Sequence, residues 1–93
     1  MHRVVVLYES EPDAEQYAEH AQLCSRVPNG VFRHGKVTGA PMGEPAHAYY
    51  AEWEFADEDA FRAAVRSEEF MATGKDAYKR GLPPPRVEFV ELG

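Results

Sequence analysis

His20 is the residue of this chain whose type and setting best suit chemistry. It lies in the segment PDAEQYAEHAQLCSRVPNG, and at helical spacing it shares one stripe with Tyr17, Ala21, Cys24 and Val27. Glu15, Glu19, Gln22 and Arg26 fall mostly elsewhere. A helix turns its apolar stripe inward, so this imidazole either bonds a buried partner or faces a pocket. In a pocket it suits general acid–base work, because its ordinary pKa is near neutral and desolvation tunes it further. The alternative is a core histidine satisfied by a carbonyl or carboxylate.

Tyr17 stands one helical turn from His20, and Tyr8 closes an apolar strand. Both phenols can orient an oxygen of a bound molecule, with Tyr17 the better placed. Tyr49 and Trp53 supply flat apolar walls for a ligand, although plain core packing accounts for Trp53 equally. His34 is a candidate second histidine of the same pocket. Joining His20, His34 and His47 as metal ligands fails on spacing, since neither an HxxxH nor an HxH pattern occurs, and no metal site is expected. Cys24 sits late in its helix, where the dipole does not favour a thiolate, and reads as a small buried hydrophobe. Asp57, Glu58 and Asp59 open a helix, where negative charge has a structural reason to be. Lys75, Lys79, Arg80 and Arg86 read as a solvated basic face. Phosphate loops, dinucleotide fingerprints and nucleophile elbows are missing.

The elements that must position these residues follow from patterning. Residues 3–8 form a strand that is apolar on both faces, with Val4, Val6 and Tyr8 one way and Val5 and Leu7 the other. Ser10 or Asp13 caps the helix that follows, which runs to about Val27 before Pro28, Asn29 and Gly30 end it. Residues 31–38 read as a second strand, with Gly35 a bulge or close-approach point. The loop GAPMGEP leads to a third strand, 47–55, whose Tyr49, Ala51, Trp53 and Phe55 make the apolar face. Asp57 caps a helix over 58–66, Ser67 restarts helix for 68–78, and GLPPP links to a last strand, 86–92. This βαββαβ order predicts a ferredoxin-like α+β fold, a four-stranded antiparallel sheet with its helices on one face. The chain has no spare element for the other face, so a second copy of the sheet is its expected cover and a homodimer is predicted.

Bulk properties narrow the function. Ninety-three residues make a single domain, 1–93. The net charge of -6 argues against general nucleic-acid binding, which needs clustered lysine and arginine. One cysteine excludes an internal disulfide. The longest strongly apolar run, 4–8, is too short for a membrane span or a signal peptide, so a cytoplasmic, non-membrane location is the expectation.

The stretch HAQLCSRVP, from His20 to Pro28, resembles the His-x-Pro-Leu then Leu-Pro-Gly pattern of EthD-like proteins in the dimeric α+β barrel superfamily. A hydrophobic first strand ending in LY, the loop GAPMGEPAHAYY and the run AEWEFADEDAFRAAVRSEEF match in order and spacing, so the resemblance spans nearly the whole chain. Departures are a shortened first helix, Gln22 in place of proline, Asn29 in place of glycine, and His34 where an aromatic residue is usual. The resemblance implies two sheets packed face to face in a dimer and, in each subunit, a pocket between helices and sheet. Relatives in that superfamily include cofactor-free monooxygenases, polyketide cyclases, muconolactone isomerases and haem-binding enzymes, so the fold alone names no reaction. The combined expectation is a small apolar, aromatic, polyketide-like or ether-type ligand. His20 and Tyr17 would act on it without cofactor, while Tyr8, His34, Tyr49 and Trp53 bind it. The alternative is a non-catalytic small-molecule-binding, accessory or stress-type homodimer in which His20 is structural.

Overall fold

The computed structural model describes residues 1–93, which form β1 (His2–Tyr8), α1 (Ala14–Cys24), β2 (Gly30–Lys36), β3 (Tyr49–Phe55), α2 (Glu58–Val65), α3 (Glu68–Lys79) and β4 (Arg86–Glu91). The strands make one antiparallel sheet of order β2-β3-β1-β4, the ferredoxin-like arrangement that the element order predicts. The two apolar-rich strands, β1 and β3, take the centre, and the register sets Val4 against Trp53 and Val6 against Ala51. Period-two alternation then sends Val4, Val6, Tyr8, Ala51, Trp53 and Phe55 to one face, where the helices bury them.

Each helix begins where a side chain can accept an unpaired backbone N–H. Asp13 accepts from Gln16 N at 3.0 Å, Asp57 from Ala60 N at 2.8 Å and Ser67 from Phe70 N at 3.1 Å. α1 ends at Cys24, a turn short of the expected Val27. Beyond Cys24 the backbone tightens, with Arg26 N on Leu23 O at 3.1 Å and Val27 N on Cys24 O at 3.3 Å. Pro28 disfavours helical geometry at Val27, and Asn29 takes the left-handed region at φ 66°. The Trp53 indole N–H donates to the Cys24 carbonyl at 2.8 Å, which ties the end of α1 to the sheet.

The strand ends also differ from expectation. β2 stops at Lys36 and β3 starts at Tyr49, so His47 lies in the connecting loop rather than in the strand. Val37 N on Ala48 O at 2.9 Å is the last rung before the loop diverges. β4 closes at Glu91, with Leu92 N still bonded to Met1 O at 2.8 Å. The close approach expected at Gly35 occurs at Gly30 instead. A Cβ on Gly30 would lie 2.5 Å from Phe55 Cε1, whereas Gly35 pairs regularly with Tyr50 in open space.

The extents of 38 × 34 × 16 Å fit one sheet with one helical layer, which leaves the second sheet face bare. That face is not the apolar surface that Val5 and Leu7 suggest. Arg3 grips Glu54 Oε2 through Nε and Nη2 at 3.0 and 2.7 Å, and Arg33 grips Glu52 Oε2 at 3.0 and 2.6 Å. Tyr50 donates to the other Glu52 oxygen at 2.7 Å. Glu52 is only 6% exposed, so its neighbours shield it without any covering layer.

Candidate functional site

α1 and α3 do not close completely over the sheet. Between them lies a cavity of about 320 Å³ lined mostly by apolar side chains. β1 contributes Val6 and Tyr8, β3 contributes Trp53, and α1 contributes Tyr17, His20 and Cys24. The stripe read from the sequence as inward-facing is therefore one wall of a hollow. Tyr8, Tyr17, His20 and Trp53 are all at most 4% exposed.

His20 is held from behind by α3. Its Nδ1 lies 2.8 Å from Asp76 Oδ2, and Arg80 Nε donates to the same oxygen at 2.8 Å. Arg80 also reaches Glu19 Oε2 at 2.6 Å and Gln16 Oε1 at 3.0 Å, which bridges α3 back to α1. Burial alone would raise the Asp76 carboxyl, but the bonds from His20 and Arg80 outweigh it and hold the group below its ordinary range. An ionised carboxylate only accepts, so the proton between the pair belongs on Nδ1, and the neutral ring keeps its lone pair on Nε2. Nε2 lies 3.3 Å from Cys24 Sγ. Burial, and then the charge of Asp76, push that thiol up to about 12, so Cys24 is a protonated donor to Nε2 rather than a nucleophile.

The phenols are held in neutral form as well. Burial pushes the Tyr8 hydroxyl up, and the Tyr17 hydroxyl far above its ordinary value. Burial thus favours both as neutral hydrogen-bonding groups. Tyr17 is fixed by four rings: edge-on to Tyr8 at 5.7 Å, edge-on to His20 at 5.4 Å, stacked on His34 at 5.0 Å and tilted against Tyr49 at 5.0 Å. His34 and Tyr49 do not line the cavity. They pair with each other, His34 Nδ1 to the Tyr49 hydroxyl at 2.6 Å, on the far side of Tyr17. Trp53 presents its ring to the cavity while its N–H holds the Cys24 carbonyl.

Asp76, Arg80 and Thr73 were not singled out from the sequence. Asp76 and Arg80 show there only as an i, i+4 ion pair on a helix, and Arg80 reads as part of a solvated basic face. Nothing in the linear order connects them to His20, 56 residues from Asp76. Thr73 lines the cavity from α3 with its hydroxyl donated to Phe70 O at 2.6 Å. No three histidine, cysteine or acidic side chains converge in a group able to hold a metal ion.

Neither a protein-family model nor a curated protein matches this sequence. Among solved structures, an EthD family protein from Bacillus halodurans C-125 is 28% identical with a TM-score of 0.77, over 100% of this chain and 99% of that one. A dimeric ferredoxin-like protein of unknown function from Jannaschia sp. CCS1 is 16% identical, with a TM-score of 0.71 over 98% of each chain. SnoaB, a cofactor-independent oxygenase from Streptomyces nogalater, is 20% identical with a TM-score of 0.59, over 99% of this chain and 91% of its own. At such identities the last two are likenesses of fold alone. This chain therefore has the ferredoxin-like α+β fold and is similar along its whole length to an EthD family protein.

Proposed function

We propose that the cavity binds a small, largely apolar compound, aromatic, polyketide-like or ether-type, and that His20 performs acid–base chemistry on it without a cofactor. The observation that carries this reading is the pairing of Asp76 with Nδ1, which leaves Nε2 as a base at the wall of an apolar hollow. In the proposed step, Nε2 takes a proton from an O–H or activated C–H of the ligand. The electron pair stays on the ligand as an oxyanion or enolate, and Asp76 stabilises the imidazolium through Nδ1–H. Tyr17, with Tyr8, donates to the ligand oxygen as charge develops there. His34 and Tyr49 support Tyr17 from outside the cavity. A cofactor-independent oxygenase shares the fold, which is consistent with chemistry carried by side chains alone.

A second reading has its own observation. Cys24 Sγ already occupies Nε2 at 3.3 Å, so His20 is fully satisfied within the protein. A non-catalytic binding homodimer, with His20 structural, is compatible with that. His20→Ala separates the two: under the acid–base reading turnover of a bound compound falls at least ~100-fold while the fold persists. Unchanged turnover and affinity would leave only the structural role.

The same proposal includes a homodimer formed through the bare sheet face. Several solved structures of this fold are dimeric. Arg3, Arg33, Glu52 and Glu54 neutralise one another within one chain, so a second sheet can cover them without trapping an unpaired charge. Native mass spectrometry of protein purified without added ligand reads subunit number and any retained molecule together. A monomer there would remove the dimer.

A further inference from the structure

From the polar groups of the cavity we infer that its ligand is a neutral one- or two-ring compound carrying a hydroxyl (a phenol or a stable enol), and that carboxylates are excluded. This inference rests on the proposed reading of the cavity as a binding site and adds the charge and donor pattern of the ligand.

Three observations lead there. First, the acceptor that His20 brings to the cavity wall is a nitrogen lone pair, bonded in this structure to the Cys24 thiol. Asp76 commits the Nδ1 proton, and the Cys24 thiol, itself protonated, marks Nε2 as the atom that receives a donor. A ligand hydroxyl replaces the thiol there, and O–H to nitrogen is a stronger bond than S–H to nitrogen. Second, Tyr8 and Tyr17 line the same cavity with phenols that burial keeps protonated, so the oxygen that donates to Nε2 can accept in turn. A hydroxyl does both, whereas a ketone, an ether or a carboxylate offers no proton to Nε2. Third, no lysine or arginine lines the cavity. Arg80, which reaches Asp76 behind His20, is consumed by Asp76, Glu19 and Gln16, and the charge bonded to His20 is the negative Asp76. A carboxylate entering this apolar space would lose its water and face Asp76 without a counter-charge. Size follows from volume: about 320 Å³ at ordinary packing holds roughly ten to fifteen non-hydrogen atoms, one or two fused rings.

The test is calorimetric titration of the intact protein with naphthalene, 2-naphthol and 2-naphthoate at neutral pH. These three share a shape and differ in the group presented to His20. The expected order is 2-naphthol about ten-fold tighter than naphthalene, with 2-naphthoate the weakest. In His20→Leu the naphthol advantage over naphthalene falls to about parity. Should that variant not fold, Asp76→Asn keeps the shape, removes the charge that sets the tautomer and shrinks the same advantage. Naphthoate binding as tightly as naphthol, or a naphthol preference that survives in the variants, overturns the inference and leaves the cavity a binding site of other selectivity. Failure of all three compounds to bind overturns the inference and the reading of the cavity on which it rests.

Discussion

The two faces of the sheet treat charge in opposite ways. On the covered face a single imidazole is buried among aromatic and aliphatic side chains, and its partner, Asp76, is supplied by a helix laid on top. On the bare face, four charges and a phenol lie side by side on neighbouring strands and satisfy each other in the plane of the sheet. The first arrangement leaves the Nε2 lone pair, bonded only to a thiol, at the wall of a hollow. The second leaves every one of these charges paired. Burial of a polar group therefore does not by itself mark a site. Glu52, at 6% exposed, is nearly as buried as His20 at 4%, yet His20 lines an apolar hollow beneath the helices whereas Glu52 lines an open polar groove whose charges are already paired.

Substitutions graded across the faces sharpen this contrast. The largest effect belongs to the covered core. Phe55→Ala removes a fully buried ring that packs on Gly30 and Phe61, and is expected to lower unfolding free energy by about 3–5 kcal/mol in urea titration. A loss below about 1 kcal/mol would mean that the covered face is loosely packed.

Next comes Asp76→Ala, which leaves a buried Nδ1–H unpaired and releases Arg80. About 2–3 kcal/mol is expected, together with loss of any ligand preference that depends on the tautomer of His20. Asp76 also makes a prediction in pH. Its carboxyl lies below the ordinary value of 3.8 in the folded state, so its contribution is complete above that value. The contribution is lost as pH falls through the depressed folded value. Thermal melts between pH 5 and about pH 2 should show a steeper acid decline in the native chain than in Asp76→Asn. Parallel curves would remove the pair as a source of stability.

The smallest effect on the fold is expected from the bare face. Glu52→Gln disturbs a network whose arginines are partly solvated, so the monomer should lose less than about 1 kcal/mol. In the proposed dimer the same change leaves Arg3 and Arg33 with only the Glu54 carboxylate between them under a second sheet, so subunit dissociation in dilution experiments should shift far more than the melting point. Equal shifts in both would place this face in solvent in the working protein.

Much of the covered face is legible in the linear chain. The alternation of β1 and β3, the caps at Asp13, Asp57 and Ser67, and the stripe carrying Tyr17, His20 and Cys24 each depend on spacing within a few residues. The errors fall where distant segments meet. α1 stops early because Pro28 and Asn29 follow it and Trp53 takes the carbonyl at its end. Gly30, not Gly35, is the glycine under a ring because register sets it against Phe55. His34 and Tyr49 fall behind Tyr17 instead of inside the cavity, since the ring of Tyr17 stands in the way.

The amino-acid order alone determined that this chain makes a four-stranded sheet covered on one side, with His20 on the inward stripe of a covering helix. Local periodicity and capping are properties of neighbours in sequence, and they need no knowledge of what lies opposite. Tertiary structure alone decided which nitrogen of His20 carries the proton and which accepts. That choice depends on an aspartate brought from another helix, on a thiol one turn away and on the space left between them. Hydrogen bonds have direction and cavities have shape, and neither is written in the spacing of residues along a chain.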